Sequence, residues 1–459
     1  MNTSVMKMLR QVRYAFLAAM MFCLLPVPRA GATWPDNFWF LAADSGLSAN
    51  YGAGTSCTDP DVVADTSVNS QDVTDLFAEA ASNGPAMIVV CPGTYYISQT
   101  LVITTAMTIA SAGTPGNDFS PDVVFDGKSQ NQIMRVLDPG SLTIWGLVFQ
   151  HGHANSPSYS SNCVSGSSCG GALGIMTTGT VTVAYSLFQD NSSTDLGGAI
   201  AVNGGEGLVD TGAGPELATC FTDLSVCQDS DVSIQTSTFL RNTSLRGGAV
   251  AMYSHNSYLQ STSEIENNTF YDNSNSTGGN GSAITSIASN PSISNNTIVE
   301  PTIETGGLIS GFADLSGNIL AVEQDGPYAS GAVCAGPFND LGGNASSDSS
   351  CGWTGVFDFF STTPGTSFVL PQFENFGMLK LSSLNGGGSS TPMFALSQNS
   401  YVNGMGPQNS QCPLGDQRGV NRALDTDYAN CEPGSYERVY NNTPVPQSHT
   451  GGYSLGGSG

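Results

Sequence analysis

The sequence predicts an all-β chain wound as a solenoid of parallel strands. Three observations lead there. Only 11% of the 459 residues are charged, and 55 are Gly; an average soluble protein is roughly 25% charged. Few charges with many small polar residues disfavour helices and favour strands and turns. A gapless motif then recurs: LTIWGLVFQHG (142–152), VTVAYSLFQDN (181–191), VSIQTSTFLRN (232–242), SEIENNTFYDN (263–273) and PSISNNTIVEP (291–301), with DLSGNILAVEQ from Asp314 in register through Leu315 and Leu320. Finally, the repeat lengths counted from Phe149 are unequal: 39, 51, 31, 28 and 22 residues. A closed propeller needs a nearly fixed period. A coil of parallel strands does not, because insertions leave it as surface loops.

Each element follows in chain order. Val73, Leu76, Phe77 and Ala80 fall at i, i+3, i+4, i+7, which predicts an amphipathic helix over 72–82 that Gly84 stops. The open end of a first coil exposes apolar side chains and strand edges, and this helix is placed to cap it. MIVVCPGTYYI (87–97) reads as strand, Pro-Gly turn and strand; 101–111, 122–128 and 132–138 read as the first full coils. Within the repeats, Ile144, Val183, Ile234, Ile265 and Ile293 should form one buried ladder. Phe149, Phe188, Phe239, Phe270 and Ile298 should form another, at roughly the 4.8 Å strand spacing. Gly152, Asn191, Asn242, Asn273 and Pro301 close each motif, and Gly and Asn tolerate a left-handed backbone at such a corner. A second motif follows: Gly170-Gly171-Ala172-Leu173, Gly197-Gly198-Ala199-Ile200, Gly247-Gly248-Ala249-Val250, Gly281-Ser282-Ala283-Ile284 and Gly306-Gly307-Leu308-Ile309. An antiparallel sandwich would instead need hairpin turns and would not repeat this register.

Over roughly residues 73–325 this order of motifs resembles the right-handed parallel β-helix proteins of the pectin-lyase-like superfamily. The FxxN and GGAI/GGAV pair is similar to the repeat of bacterial polymorphic outer-membrane proteins. Near the end, Asp416-Gln417-Arg418-Gly419, Arg422 and CEPGSYER (431–438) resemble the tail of choice-of-anchor β-helix proteins, with Cys412 and Cys431 where that family keeps its cysteine pair. Departures are Ala423 for the usual Pro, Glu432-Pro433-Gly434 for Asp-Ile-Gly, and Asn403-Gly404 for Asp-x-Gly. The expected plan is therefore a right-handed parallel β-helix over 86–360, after an N-terminal segment and capping helix (33–85). A choice-of-anchor-like module (361–438) and a polar, Gly-rich tail (439–459) follow.

Residues 1–32 read as a secretory signal: Lys7, Arg10 and Arg13, an apolar stretch from Tyr14 to Val27, then Ala30-Gly31-Ala32. An uncleaved membrane anchor is the alternative, but the apolar run is short for a span. The expectation is an exported protein, extracellular or on the outer cell surface. Beyond Cys23 the cysteines number ten. An oxidising compartment favours the local pairs Cys57/Cys91, Cys163/Cys169, Cys220/Cys227, Cys334/Cys351 and Cys412/Cys431. No C-x₂-C cluster with His partners suggests a metal site.

The net charge is −25, from 12 basic and 37 acidic residues. That argues against nucleic acid and anionic membranes as partners. No later segment is apolar enough for a transmembrane helix, and a monomer is expected. The superfamily resemblance implies polysaccharide lyases and hydrolases among the relatives. One column fits that chemistry: two positions after each second ladder residue stand His151, Asp190, Arg241, Asp272 and Glu300. In stacked coils Arg241 lies between Asp190 and Asp272, a candidate catalytic or cation-binding set; a calcium-dependent lyase would need several carboxylates and a basic residue. The plain alternative is a solvated salt-bridge ladder. Asp122, Asp126 and Lys128 read as a turn, and His151 with His153 are too few for a metal site. Eight basic residues beyond the signal are thin for binding polyuronates. The function expected from sequence is therefore an adhesin-like or glycan-contacting surface protein without catalysis or cofactor. A pectate-lyase-like lyase or a hydrolase, with calcium as the ion for a lyase, is the alternative.

Overall fold

In the computed structural model, inward-facing apolar residues one coil apart sit directly opposite each other. The described residues are 37–43, 47, 56–64, 71–112, 121–155, 169–203, 230–253, 263–287, 289–301, 306–322, 332–353, 359–360, 391–394, 412–413, 415–417, 422, 431 and 433–435. The expected signal, Cys163, Cys220, Cys227, Arg418, Gly419 and the tail lie outside them.

Their strands form sheets of eleven, ten, eight and four strands, every strand pairing with its neighbour in parallel. Each coil contributes a strand to successive sheets, making a right-handed parallel β-helix. In the eleven-stranded sheet, Ile109, Ile144, Val183, Ile234, Ile265, Ile293 and Leu315 align across consecutive coils. In the ten-stranded sheet, Phe125, Phe149, Phe188, Phe239, Phe270, Ile298 and Leu320 align. Both ladders are fully buried. The rings of Phe149, Phe188, Phe239 and Phe270 stack with centroids 4.7–5.1 Å apart and planes within 9° of parallel. Strand spacing and ring stacking thus demand nearly the same distance. The GGA motif supplies the third ladder: Met134, Leu173, Ile200, Val250, Ile284 and Ile309.

The helix α1, Gln71–Ser82, buries Val73, Leu76, Phe77 and Ala80 over the first coil. Phe77 meets the Phe ladder edge-on at Phe125, 6.4 Å between centroids. The strand Phe38–Ala42 pairs in parallel with Ala86–Val90, so the eleven-stranded sheet begins before residue 86.

At the corners the structure corrects the role given to asparagine. The left-handed backbone sits one residue earlier, at His151, Asp190, Arg241 and Asp272, with φ between 51° and 55°. The asparagines that follow are turned inward and buried. Asn191 Nδ2 donates to Asn242 Oδ1 at 3.0 Å, and Asn242 Nδ2 to Asn273 Oδ1 at 3.0 Å. A second ladder runs along the preceding corner through Asn268, Asn296, Asn318 and Asn344, each amide reaching the next coil at 3.0–3.1 Å. These side chains satisfy backbone groups that a two-residue corner leaves unpaired, which burial would otherwise make costly. In the GGA turn a Cβ at Gly198 or Gly248 would lie 2.1 or 2.0 Å from the next coil's carbonyl oxygen, so only glycine lets the coils close there.

Disulfides join Cys57 to Cys91, Cys334 to Cys351 and Cys412 to Cys431. Cys169 is also disulfide-bonded; its expected partner, Cys163, lies outside the described residues. Among the described residues no helix is long and apolar enough to cross a membrane.

Truncating one ring of the ladder tests this packing. Phe239→Ala should lower unfolding stability by about 3–5 kcal/mol, measured as a shift in the denaturation midpoint.

Candidate functional site

The left-handed corner explains why the candidate column reaches solvent. With φ near +50°, His151, Asp190, Arg241 and Asp272 project outward while the next residue of each turns in. Register then sets them one coil apart. Arg241 grips Asp190 with both arms of its guanidinium, Nε to Oδ1 at 2.7 Å and Nη2 to Oδ2 at 2.7 Å. The side chains are 46% and 31% exposed, so the pair adds little stability. The hydrogen bond and charge of Asp190, joined by the charge of Asp272, hold the Arg241 proton more firmly than usual against a smaller burial effect. Burial pushes the Asp272 carboxyl up; Arg241 opposes this and Asp190 reinforces it.

Two expected members of the column are diverted. His151 turns to Asp126, 3.3 Å away, on the preceding coil. Asp126 also accepts the Lys128 backbone N–H at 2.7 Å and Gln150 Nε2 at 3.0 Å, while Gln189 Nε2 donates to Gln150 Oε1 at 2.8 Å. The Lys128 ammonium lies 3.8 Å from the Tyr96 ring centre. What reads as a turn is thus continuous with the column. Glu300 remains in the strand Thr297–Glu300, fully buried, and its Oε1 accepts Asn273 Nδ2 at 3.4 Å. It ends the asparagine ladder and is not part of a surface carboxylate cluster.

Calcium does not fit between Asp190 and Asp272 in this arrangement, because the Arg241 guanidinium already lies between them and carries the positive charge there. His153 pairs with Ser192 Oγ at 2.7 Å. Among the described residues, no three His, Cys, Asp or Glu side chains converge as metal ligands.

The C-terminal motif residues converge elsewhere, on the outer face of the ten-stranded sheet. Thr238, Thr269 and Thr297 occupy one outward column yet are at most 1% exposed. Gln417 bridges the first two: Nε2 donates to Thr238 Oγ1 at 2.9 Å and Oε1 accepts Thr269 Oγ1 at 2.6 Å. Ser435 N donates to Thr297 Oγ1 at 2.9 Å, and Gly434 N to Gly317 O at 2.6 Å. Arg422 is wholly buried and donates to Asn267 Oδ1 at 3.0 Å and Gly434 O at 2.6 Å. The described residues of the DQRG and CEPGSY motifs are therefore a clasp across adjacent coils. The sequence carried one sign of it: Thr precedes the second ladder residue in three successive repeats. Beside the clasp, burial and the charge of Glu264 push Glu266 up to about 7, with Arg422 opposing.

No family model matches the chain, and no curated protein matches it. Among solved structures, the crystal structure of pectate lyase Pel9A aligns with a TM-score of 0.39 at 12% identity, over 88% of this chain and 96% of that one.

Two measurements check the clasp. Gln417→Ala strands buried hydroxyls and should cost at least about 2 kcal/mol, read by thermal unfolding. Glu266 ionises near 4.5 when unfolded and near 7 when folded, so the folded state holds the proton more tightly. Its contribution is full below about pH 4.5 and is lost as pH rises to 7; Glu266→Gln should remove that part of the stability profile.

Proposed function

We propose that this chain is an exported, monomeric β-helix protein that contacts glycans through its solenoid surface without turning them over. The observation that carries this reading is the closed Asp190–Arg241 pair. A lyase base must give up a proton before it can take one from carbon, and Arg241 is held protonated by the carboxylate it grips with two bonds. The surrounding band favours contact over chemistry: Tyr96, Lys128, Gln150, His151 and Gln189 offer amide, aromatic and cationic groups along successive coils. Export rests on the signal-like residues 1–32 and accords with the disulfides. A surface location, through the choice-of-anchor-like motifs, belongs to the same proposal, and no cofactor is assigned.

One observation favours a hydrolase instead. Asp272 and Asp190 flank Arg241 in one outward column, and burial pushes the Asp272 carboxyl up, as a general acid requires. That reading must still free Asp190 from Arg241.

Incubation with neutral and uronate polysaccharides, with and without calcium, separates the two. The expected result is binding on a glycan array with no new reducing or unsaturated ends. New ends that vanish in Arg241→Ala or Asp272→Asn would overturn the non-catalytic reading.

A further inference from the structure

Among the described residues, one arginine has no acid to answer its charge. Arg241 grips Asp190, and Arg246 Nε donates to Asp195 Oδ1 at 3.1 Å. Arg422 lies close enough to Glu266 for its charge to act on that carboxyl. Arg135, on the outer face of the eight-stranded sheet, is different. Its Nε and Nη2 both donate to Gln132 Oε1, at 2.9 and 2.6 Å, and Gln132 carries no charge. Among the described residues Nη1 makes no hydrogen bond and no carboxylate pairs with the guanidinium. Burial loosens the Arg135 proton, with no acidic group opposing it.

The fold fixes this neutral partner. Gln132 is buried, and its Nε2 donates to Cys169 O at 2.7 Å and Gly170 O at 2.9 Å. Those two carbonyls decide which end of the amide faces Arg135; a glutamate would turn a bare oxygen towards them. Gly174, opposite Arg135 on the next coil, keeps the path open, since a Cβ there would lie 2.7 Å from Gln132 Nε2. The result is a half-buried guanidinium held in one orientation with its charge uncompensated, which is costly away from water. Arg135 also lines a cavity of ≈ 10 Å³, room for one water-sized group, together with Gly174, Met176 and Ala201. The neighbouring outward side chains are apolar. Val102, opposite Arg135 on the preceding coil, is 43% exposed, and Leu137 and Met176 are half-buried.

We propose that Arg135 anchors a binding site for a small aliphatic carboxylate. A guanidinium offers paired N–H groups that match the two oxygens of a carboxylate. With Nε and one N–H of Nη2 taken by Gln132, the edge formed by Nη1 and the other N–H of Nη2 is left for such a pair. The ligand brings the negative charge that this site lacks. Room for one water-sized group admits a carboxylate oxygen and disfavours a bulkier tetrahedral anion. The apolar neighbours then select the body of the ligand. An alkyl chain gains by covering Val102 and Met176, whereas a sugar ring would lose water from its hydroxyls there. The site is separate from the Asp190–Arg241 column and does not rest on the glycan-contacting reading.

Titration with acetate, butyrate and hexanoate at low salt tests it, with sulfate and galacturonate as comparison anions. Calorimetry gives the affinity, and the arginine Nε–H resonance that disappears in Arg135→Gln reports the site directly. That resonance should shift with each carboxylate, and affinity should rise along the series by up to about fourfold per added methylene. Arg135→Gln should weaken hexanoate about tenfold or more, and Arg135→Lys, which keeps the charge without the fork, should recover part of the loss. Val102→Ser should flatten the chain-length trend and leave acetate binding unchanged, with a thermal melt near wild type because Val102 lies outside the inward ladders. Unchanged hexanoate affinity in Arg135→Gln, or an Arg135 resonance that no carboxylate moves, would overturn the site. Tighter binding of sulfate or galacturonate than of hexanoate would overturn the aliphatic assignment.

Discussion

The structure depends on one constraint: each coil must return to the same place roughly one strand spacing further on. At two of its corners a single residue in the left-handed region is followed by a side chain turned inward. Such a corner leaves backbone groups buried and unpaired by strand hydrogen bonds. The asparagine amides meet that need across coils, with Oδ1 accepting a backbone N–H from the preceding coil and Nδ2 donating to the following Oδ1. Chains of such bonds are cooperative in geometry as well as energy, since displacing one amide disturbs two coils.

Once the corners are fixed, the rest of the surface is organised in columns. Inward columns become apolar ladders, and outward columns place like positions of successive repeats side by side. That is why Asp190, Arg241 and Asp272 are neighbours despite 51 and 31 residues of separation. The same rule brings Thr238, Thr269 and Thr297 together under the clasp, and Trp145 over Ala184 beside Tyr185. A solenoid thus turns short motifs into extended stripes, suited to long, repetitive ligands.

The clasp gives the far C-terminal motifs a physical role. Gln417, Arg422 and Ser435 are buried polar groups with partners on several coils, so they tie neighbouring repeats laterally. A repeat array otherwise contacts only its immediate neighbours, and a cross-brace raises the cost of opening one coil. Residues in this arrangement are not available to act on a ligand.

The sequence by itself determined the architecture. The spacing of Ile144 to Phe149 and its repeats, the GGA turns and the capping helix each follow from local periodicity, because strand alternation and helix pitch are short-range rules. It also determined which side chains share the Asp190–Arg241–Asp272 column, since register follows from a gapless repeat. Only the tertiary structure decided what each of them does there. Asp190 and Arg241 close on one another, His151 turns back to Asp126, and Glu300 goes inside to end the asparagine ladder. Those outcomes depend on the backbone conformation of single corner residues and on contacts between coils. The repeat pattern gives His151, Asp272 and Glu300 the same position. The left-handed φ at His151 and Asp272 and the extended backbone at Glu300 send their side chains to opposite sides of the wall.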